Sequence, residues 1–258
     1  MKTSVSIALA SGIALVAMSA SLSSVMMAPA QAAETALDRS QVETIVRDYL
    51  LKNPELLLEM QSALETKQNS EAQAQVKQVL ATNKSALYDE KHDAVFGNPE
   101  GDVTVYEFFD YNCGYCKRAL PDMQAILKND PNVRFVLKEF PILGPDSLHA
   151  HVVAQAFKAL MPEKYPEFHA VLLGAQERAT EESAIADAVK LGADEKALRE
   201  KMKDPAITGA FQKTYQLATQ LNITGTPSYI IGDELVPGAI GADGLIEKIA
   251  EARGSAKN

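Results

Sequence analysis

The chain has 258 residues, of which 47% are hydrophobic and 23% are charged, and its formal net charge is −9. This composition is that of an ordinary globular protein, and the negative charge argues against nucleic acid and anionic membrane surfaces as partners. Only two cysteines are present, Cys113 and Cys116.

Residues 1–32 have the three parts of a secretory signal peptide. Lys2 gives a basic start, residues 5–16 are mostly apolar, and small residues lead to an Ala-x-Ala site. Serines and a glycine interrupt the apolar run, which is shorter than the ~20 residues of a membrane span. We therefore expect cleavage after Ala30 or Ala32 and a periplasmic mature protein, in a compartment that permits disulfides.

Residues 33–92 are predicted to form an N-terminal helical arm. Apolar residues recur at three- and four-residue spacing between positions 42 and 50. Asn53-Pro54 ends that helix, and a second apolar cluster follows at positions 56–64. The arm is short for a core of its own. It can pack on the main domain, or on copies of itself as an oligomerisation segment, and the pattern leaves both interpretations open.

Residues 93–254 are predicted to form an α/β domain that begins with a strand, a helix and a strand. Positions 103–109 have the pattern of a buried strand, positions 113–127 that of a helix, and positions 133–140 that of a second strand. This order gives a βαβ unit. A mainly helical insertion follows at about 142–222, and two short strands and a last helix complete the domain.

Cys113 and Cys116 lie in a Cys-Gly-Tyr-Cys motif where the first strand leads into the helix. The unpaired N–H groups and the positive dipole end of a helix start favour a thiolate, so the pKa of Cys113 should lie below the free value of ~8.5. Cys116, one turn later, can close a disulfide with Cys113 and release a substrate from a mixed disulfide. A two-residue gap closes almost no loop, so this pair does not serve stability.

The same cysteines leave one alternative function open. A zinc site needs about four ligands, and the chain has no second cysteine pair and only scattered histidines, namely His92, His149, His151 and His169. We therefore expect no metal and no organic cofactor for the redox reaction. Two soft thiolates can, however, bind Cu(I), so the alternative is a periplasmic copper-binding or copper-tolerance protein.

Four features of the chain occur together. They are the segment 108–117 (FFDYNCGYCK), the segment 138–144 (KEFPILG), Gly225-Thr226-Pro227 and the helical arm. Together they resemble the DsbA-like branch of the thioredoxin superfamily, and most closely its suppressor-of-copper-sensitivity protein C (ScsC) group. The resemblance implies a thioredoxin fold with a large helical insertion, protein thiols and disulfides as substrates, and a membrane-bound redox partner.

The resemblance also implies roles for residues outside the cysteine pair. Thr226-Pro227 is expected to be a cis peptide beside the pair, where the Thr226 backbone can bind an extended substrate chain. The sequence pattern alone would make Pro227 a turn residue. Glu107 is expected to be a buried acid that accepts the proton of Cys116. Strand alternation alone leaves open that Glu107 lies on the surface.

Gly114 and Tyr115 are expected to tune the redox couple. A histidine between the cysteines would stabilise the thiolate, and Gly-Tyr lacks that cation, so the pair should be less oxidising than the strongest dithiol oxidants. The arm decides the subtype of activity. A homo-oligomer, expected to be a trimer, would hold several active sites around one client and favour disulfide isomerase activity, whereas a monomer would favour a dithiol oxidase or a reductase.

Overall fold

The structure is a computed structural model that describes residues 38–82, 87, 89 and 91–255. The signal peptide predicted for residues 1–32 lies outside the described residues. The chain divides into two units, of which one ends at Leu57 and the other begins at Leu58.

The first unit contains helix α1, Arg39–Lys52. Asp38 begins the helix with a capping box, because its carboxylate accepts from the Gln41 N–H and the Gln41 side chain accepts from the Asp38 N–H. The helix ends at Asn53, as the Asn53-Pro54 pair predicted. No residue of α1 is buried, and Tyr49 is 59% exposed.

Helix α2, Leu56–Thr82, is continuous through its polar middle part. Val76 and Leu80 near its end are buried in a hydrophobic cluster together with Phe108 and Phe140. The apolar residues at the start of α2 are instead exposed, namely Leu57, Leu58, Met60 and Leu64. One helix therefore carries an exposed apolar segment and a segment that belongs to the core of the second unit.

A five-stranded mixed sheet forms the centre of the second unit, in the order β1-β3-β2-β4-β5. Strands β2 and β3 are parallel, as a βαβ unit requires, and the other neighbours are antiparallel. The strands are β1 Ala94–Gly97, β2 Val103–Phe109, β3 Val133–Glu139, β4 Ser228–Ile231 and β5 Glu234–Pro237. Strand β1, which pairs with β3 at the edge of the sheet, was not predicted from the sequence.

The helices of the second unit follow the predicted order, with a helical block inserted between β3 and β4. Helix α3, Gly114–Asn129, joins β2 to β3, and helix α9, Gly241–Ser255, closes the domain. The insertion contains α4 Pro145–Leu160, a short 3₁₀ helix Pro162–Lys164, α5 Tyr165–Gly174, α6 Glu181–Lys190, α7 Glu195–Lys201 and α8 Pro205–Gln220. The predicted fold class, a thioredoxin fold with a large helical insertion after an N-terminal helical region, is confirmed.

Strand alternation assigns the side chains of β2 to two different layers. Val105 and Phe109 belong to the cluster that contains both cysteines, and Glu107 lies between them on the same face. Phe108 points to the other face, into the cluster of Val76 and Leu80. The sheet therefore separates the layer of the cysteines from the layer that holds the end of α2.

Candidate active site

Cys113 is the N-cap of helix α3, where β2 leads into the helix. Its backbone is extended, its N–H donates to the Asp110 carbonyl, and its Sγ accepts from the Cys116 N–H at 3.4 Å. The sulfur thus occupies the place where a capping side-chain oxygen usually lies, next to the free N–H groups of the first turn.

The two sulfurs differ in their accessibility. Both cysteines are free thiols, and Cys113 is 6% exposed whereas Cys116 is 0% exposed. An incoming protein can therefore reach only Cys113 directly. Cys116 can react only with Cys113 itself, one helical turn away.

The two thiols also differ in their acidity. The pKa of Cys113 is lowered from 9.0 to about 5, mainly because the Cys116 thiol donates a hydrogen bond to its sulfur. Burial opposes this shift, whereas the Thr226 side chain and the backbone N–H groups add to it. Burial, together with the hydrogen bond to Cys113, raises the pKa of Cys116 far above its ordinary value. At neutral pH the site therefore holds one nucleophilic thiolate and one neutral thiol.

The structure brings the loop before β4 to the cysteines, although it lies more than 100 positions away along the chain. The Thr226–Pro227 peptide bond is cis. The Cys113 thiol donates to the Thr226 carbonyl oxygen at 3.1 Å. This carbonyl favours the thiol over the thiolate, so it partly opposes the donors that ionise Cys113. Thr226 and Pro227 thus lie beside the reactive sulfur.

Glu107 is buried, with 4% of its surface exposed. Burial, and then the negative charge of Cys113, raise the pKa of Glu107 from 4.5 to about 8. The carboxyl also raises the pKa of Cys116, which places both groups within electrostatic reach of each other. A buried acid therefore lies near the buried thiol.

Tyr229 is a member of this site that the sequence did not reveal. It pairs with Glu107 across strands β2 and β4, and it is 1% exposed. Burial, and then the charge of Glu107, raise its pKa far above the ordinary range. The signal was its position two residues after Pro227, because alternation along β4 places it on the face of Glu107.

Tyr115 is the exposed part of the Cys-Gly-Tyr-Cys motif, with 61% of its surface exposed. The guanidinium of Arg118 lies 4.2 Å from the centre of its ring, a cation–π contact. A Cβ on Gly114 would lie 3.8 Å from the Arg118 guanidinium and would meet no other side chain of the described residues outside its two chain neighbours within 4 Å. Next to Cys113, the protein surface therefore consists of the Gly114 backbone, which has no side chain, and the Tyr115 ring with the Arg118 guanidinium over it.

Hydrogen bonds hold the turn that precedes Cys113 against the segment that follows β3 and against the helical insertion. The buried carboxylate of Asp110 accepts from the N–H groups of Asn112, Ile142 and Leu143 at 2.7, 2.8 and 3.0 Å. The Asn112 amide exchanges two hydrogen bonds with the backbone of Ala179. Sequence reasoning included this turn in the active-site segment but did not identify its partners.

The described residues contain neither a metal-binding cluster nor a membrane-spanning helix. No group of three or more His, Cys, Asp or Glu side chains in the described ranges could hold a metal ion. Within the same ranges, no helix has both the length and the apolar character of a membrane span.

Comparison with known families assigns the chain. The sequence model of the DSBA-like thioredoxin domain matches residues 104–250, which is more than half of the chain. The chain belongs to the DSBA-like thioredoxin family. Residues 38–71 match a second family model, the copper resistance protein ScsC N-terminal domain. The predicted membership in the DsbA-like and ScsC group of thiol–disulfide oxidoreductases is thereby confirmed.

Solved structures of this DSBA-like family agree with the assignment. A thioredoxin-like oxidoreductase from Silicibacter pomeroyi is 41% identical, with a TM-score of 0.63 over 67% of this chain and 98% of that one. Proteus mirabilis ScsC in a transitional conformation is 31% identical, with a TM-score of 0.62 over 85% and 98%. The thiol-disulfide exchange protein alpha-DsbA2 from Wolbachia pipientis is 31% identical, with a TM-score of 0.64 over 69% and 96%.

Two of the curated relatives are much longer than this chain. The Na(+)/H(+) antiporter NhaA 3 of Salinispora tropica is 26% identical over 66% of this chain. The chain spans only 26% and 25% of the length of the two antiporters that it matches. It spans 76% of disulfide bond formation protein D of Bacillus subtilis, at 24% identity.

Proposed function

We propose that this protein is a periplasmic thiol–disulfide oxidoreductase that exchanges disulfides with protein substrates through Cys113 and Cys116. The observation that carries the proposal is the pairing of a reachable, acidic Cys113 with a buried, neutral Cys116 one helical turn away. Membership in the DSBA-like family supports the same chemistry.

In the reducing direction, the Cys113 thiolate attacks one sulfur of a substrate disulfide. A Cys113–substrate bond forms, the substrate bond breaks, and its other sulfur leaves as a thiolate. Cys116 then loses its proton and attacks Cys113 Sγ, which forms the Cys113–Cys116 disulfide and releases the second substrate thiolate. In isomerisation, a second thiolate of the substrate attacks the substrate sulfur of the mixed disulfide. A new substrate disulfide forms, and Cys113 leaves as a thiolate without net oxidation.

Glu107 accepts the proton that Cys116 releases. Its pKa of about 8 in the dithiol form has two causes, burial and the Cys113 charge. The second cause disappears when Cys113 enters a mixed disulfide, so the carboxyl ionises more easily at the step that needs a base. Because its pKa is raised, the Glu107 carboxyl is also closer in acidity to a thiol than the carboxyl of an exposed glutamate would be.

Thr226 and Pro227 hold the backbone of the substrate next to Cys113. The carbonyl of Thr226, which lies 3.1 Å from Cys113 Sγ, can accept a hydrogen bond from an N–H of an extended substrate chain. Gly114 and Tyr115 tune the couple and line the approach to the sulfur, where the guanidinium of Arg118 lies over the Tyr115 ring.

The N-terminal arm makes the protein a homo-oligomer, which we propose to be a trimer with disulfide isomerase or reductase activity. Helix α1 leaves Ile45 and Tyr49 54% and 59% exposed, so an apolar surface is open to a second copy. The similarity of residues 38–71 to the ScsC N-terminal domain supports a dedicated role for this segment. An isomerase must be kept reduced, so a membrane-bound redox partner is also part of the proposal.

Light scattering on the mature protein tests the arm. We expect the mass of a trimer, and the mass of a monomer for the double variant Ile45→Glu and Tyr49→Glu. The matched control is Thr44→Glu with Asp48→Glu, on neighbouring positions of the same helix, and it should keep the trimer. A monomeric parent protein would contradict the oligomer and favour a dithiol oxidase or reductase.

Refolding of scrambled ribonuclease tests the chemistry. We expect the mature protein to recover ribonuclease activity when a reductant is supplied, and Cys113→Ala to abolish the recovery. Cys116→Ala should accumulate a mixed disulfide that is visible on a non-reducing gel. Recovery by both variants at the parental rate would refute the cysteine mechanism.

The alternative function is a periplasmic copper-binding or copper-tolerance protein. The observation in its favour is the match of residues 38–71 to a domain described as part of a copper resistance protein. Cys113 and Cys116 would then be Cu(I) ligands. Tight Cu(I) binding in competition with a chromogenic chelator, together with no reduction of insulin, would favour this function over thiol–disulfide exchange.

A further inference from the structure

Five polar side chains form a buried cluster behind the turn that precedes Cys113. Each of them is at most 4% exposed. They come from that turn, from the end of β3, from α4 and from α5, and none has a part in the mechanism above. They are Tyr111, Glu139, His151, Tyr165 and His169.

Hydrogen bonds connect all five side chains. Glu139 Oε2 lies 2.8 Å from His151 Nδ1, and Glu139 Oε1 accepts from the Tyr165 hydroxyl at 2.8 Å. The Tyr111 hydroxyl lies 3.2 Å from the Tyr165 hydroxyl and 3.2 Å from His169 Nδ1. The Tyr111 backbone N–H donates to His151 Nε2 at 3.2 Å. The chain of bonds therefore leaves Tyr111 through its side chain and returns to its backbone.

The donors and acceptors fix one arrangement of protons. His151 Nε2 accepts from Tyr111, so the ring proton of a neutral His151 is on Nδ1 and points to Glu139. Tyr165 gives its only proton to Glu139, so the Tyr111 hydroxyl must donate to Tyr165. His169 Nδ1 must then donate to Tyr111. Each shared contact receives one proton, and both oxygens of Glu139 act as acceptors.

We propose that Tyr165, Glu139 and His151 are positioning residues, which with Tyr111 close a hydrogen-bonded ring that holds the turn before Cys113. The ring forms hydrogen bonds with both the hydroxyl and the backbone N–H of Tyr111, two residues before the nucleophile. The start of α3 and the N–H groups around Cys113 Sγ are thereby held in one arrangement. The helical insertion, which supplies Tyr165 and His151, thus acts on the acidity of a sulfur in the thioredoxin core.

The packing around the ring limits the other arrangements that these side chains can adopt. Phe109 contacts the rings of Tyr111, His151 and His169, with centroids 5.0–5.2 Å apart. Burial lowers the pKa of His169 to about 3, so this ring stays neutral at physiological pH. A neutral His169 carries one ring N–H, which is the number that its contact with the Tyr111 hydroxyl needs.

Nuclear magnetic resonance of the parent protein tests the proton arrangement without any variant. Two-bond ¹H–¹⁵N correlations distinguish the two imidazole tautomers. We expect both His151 and His169 to be neutral with the proton on Nδ1. A proton on Nε2 of His151 would leave the Tyr111 N–H without this acceptor and would overturn the proposal. A proton on Nε2 of His169 would break the chain at Tyr111 and would overturn it as well.

Three variants test the positioning effect, with the thiolate absorbance at 240 nm as the readout of the Cys113 pKa. His151→Leu and Tyr165→Phe each remove one member of the ring, and we expect the Cys113 pKa to rise by about half a unit to one unit. His151→Gln keeps an acceptor for Tyr111 and a donor for Glu139, so it should retain most of the parental value.

A purely structural role predicts a different pattern. The control Val236→Ala removes buried volume from β5 and should lower the stability without moving the Cys113 pKa. An unchanged pKa in folded Tyr165→Phe and His151→Leu would refute the positioning role, and so would equal shifts in His151→Gln and His151→Leu. The role in catalysis rests on the proposed function, whereas the tautomers and the thiol pKa are measured without a substrate, so the two proposals can fail separately.

Discussion

The buried carboxyl of Glu107 should destabilise the protein at the pH at which it works. Glu107→Gln removes the charge and retains a neutral side chain of nearly the same shape. Because burial raises the pKa of Glu107 from 4.5 to about 8, the folded protein resists the ionisation that the unfolded chain undergoes freely. We therefore expect the variant to be more stable than the parent protein at neutral pH.

The sign and size follow from the two pKa values. Below pH 4.5 the carboxyl is protonated in both states and gives no penalty; as the pH rises towards 8, the unfolded chain ionises and the folded protein loses stability. At pH 7 the difference between pH and the unfolded pKa is about 2.5 units, or about 3.5 kcal/mol at ~1.4 kcal/mol per unit. The advantage of Glu107→Gln should reach this size at pH 7 and level off above pH 8.

Urea unfolding between pH 4 and pH 9 measures this difference. The parent protein and Glu107→Gln are compared in the reduced state, with Glu247→Gln as the control. Glu247 is exposed on the last helix, so its variant should stay within about 0.5 kcal/mol of the parent protein at every pH. Single-turnover reduction of a disulfide substrate with the same samples measures the rate at which the mixed disulfide at Cys113 is resolved. We expect this rate to be lower in Glu107→Gln.

Two results would refute the reasoning. A stability advantage that does not change with pH would mean that Glu107 titrates normally and is hydrated. A variant that is both less stable than the parent protein and unimpaired in the release of the mixed disulfide would mean that the carboxyl has a structural role only.

Further predictions concern the nucleophile and two buried ionic groups. Alkylation of the reduced protein should depend on pH with a midpoint near 5, follow Cys113 and leave Cys116 unmodified, as peptide mapping would show. Lys138→Met should lower the free energy of unfolding in urea by about 3–5 kcal/mol, because Lys138 lies 2.7 Å from Asp93 and both side chains are buried. The double variant Lys138→Met and Asp93→Leu should recover most of this loss. Asp110→Ala should cost about 2–4 kcal/mol because it leaves backbone N–H groups without an acceptor, whereas recovery of the parental melting temperature in Asp110→Asn would show that one oxygen suffices.

The sequence predicted the local structure of the domain well, because local signals specify it. The strand at 103–109 and the helix after Cys113 have clear apolar patterns. The helical character of the insertion was also predicted, and Thr180 and Asp194 cap α6 and α7 through their own side chains. Strand β1 was missed because four residues are too few for a pattern and its pairing with β3 is not local.

The parts of the site that could not be predicted depend on contacts between distant positions. The approach of Thr226 to Cys113 was expected only from the resemblance to a known family. The ring around Tyr111 joins groups up to 54 positions apart, and each member alone looks like an ordinary polar residue. The acidity of Cys113 could be predicted because a helix start is local, whereas the partners that hold the preceding turn could not.

The two faces of the sheet have a consequence for how this protein can be varied. The end of α2 is anchored through Val76 and Leu80 beside Phe108, whereas the sulfurs lie in the layer on the opposite side. In the proposed oligomer, the number of active sites per particle and the redox potential of each could therefore change independently. An engineer could graft a different assembly helix ahead of that anchor and obtain particles of another valence whose thiol chemistry is unaltered.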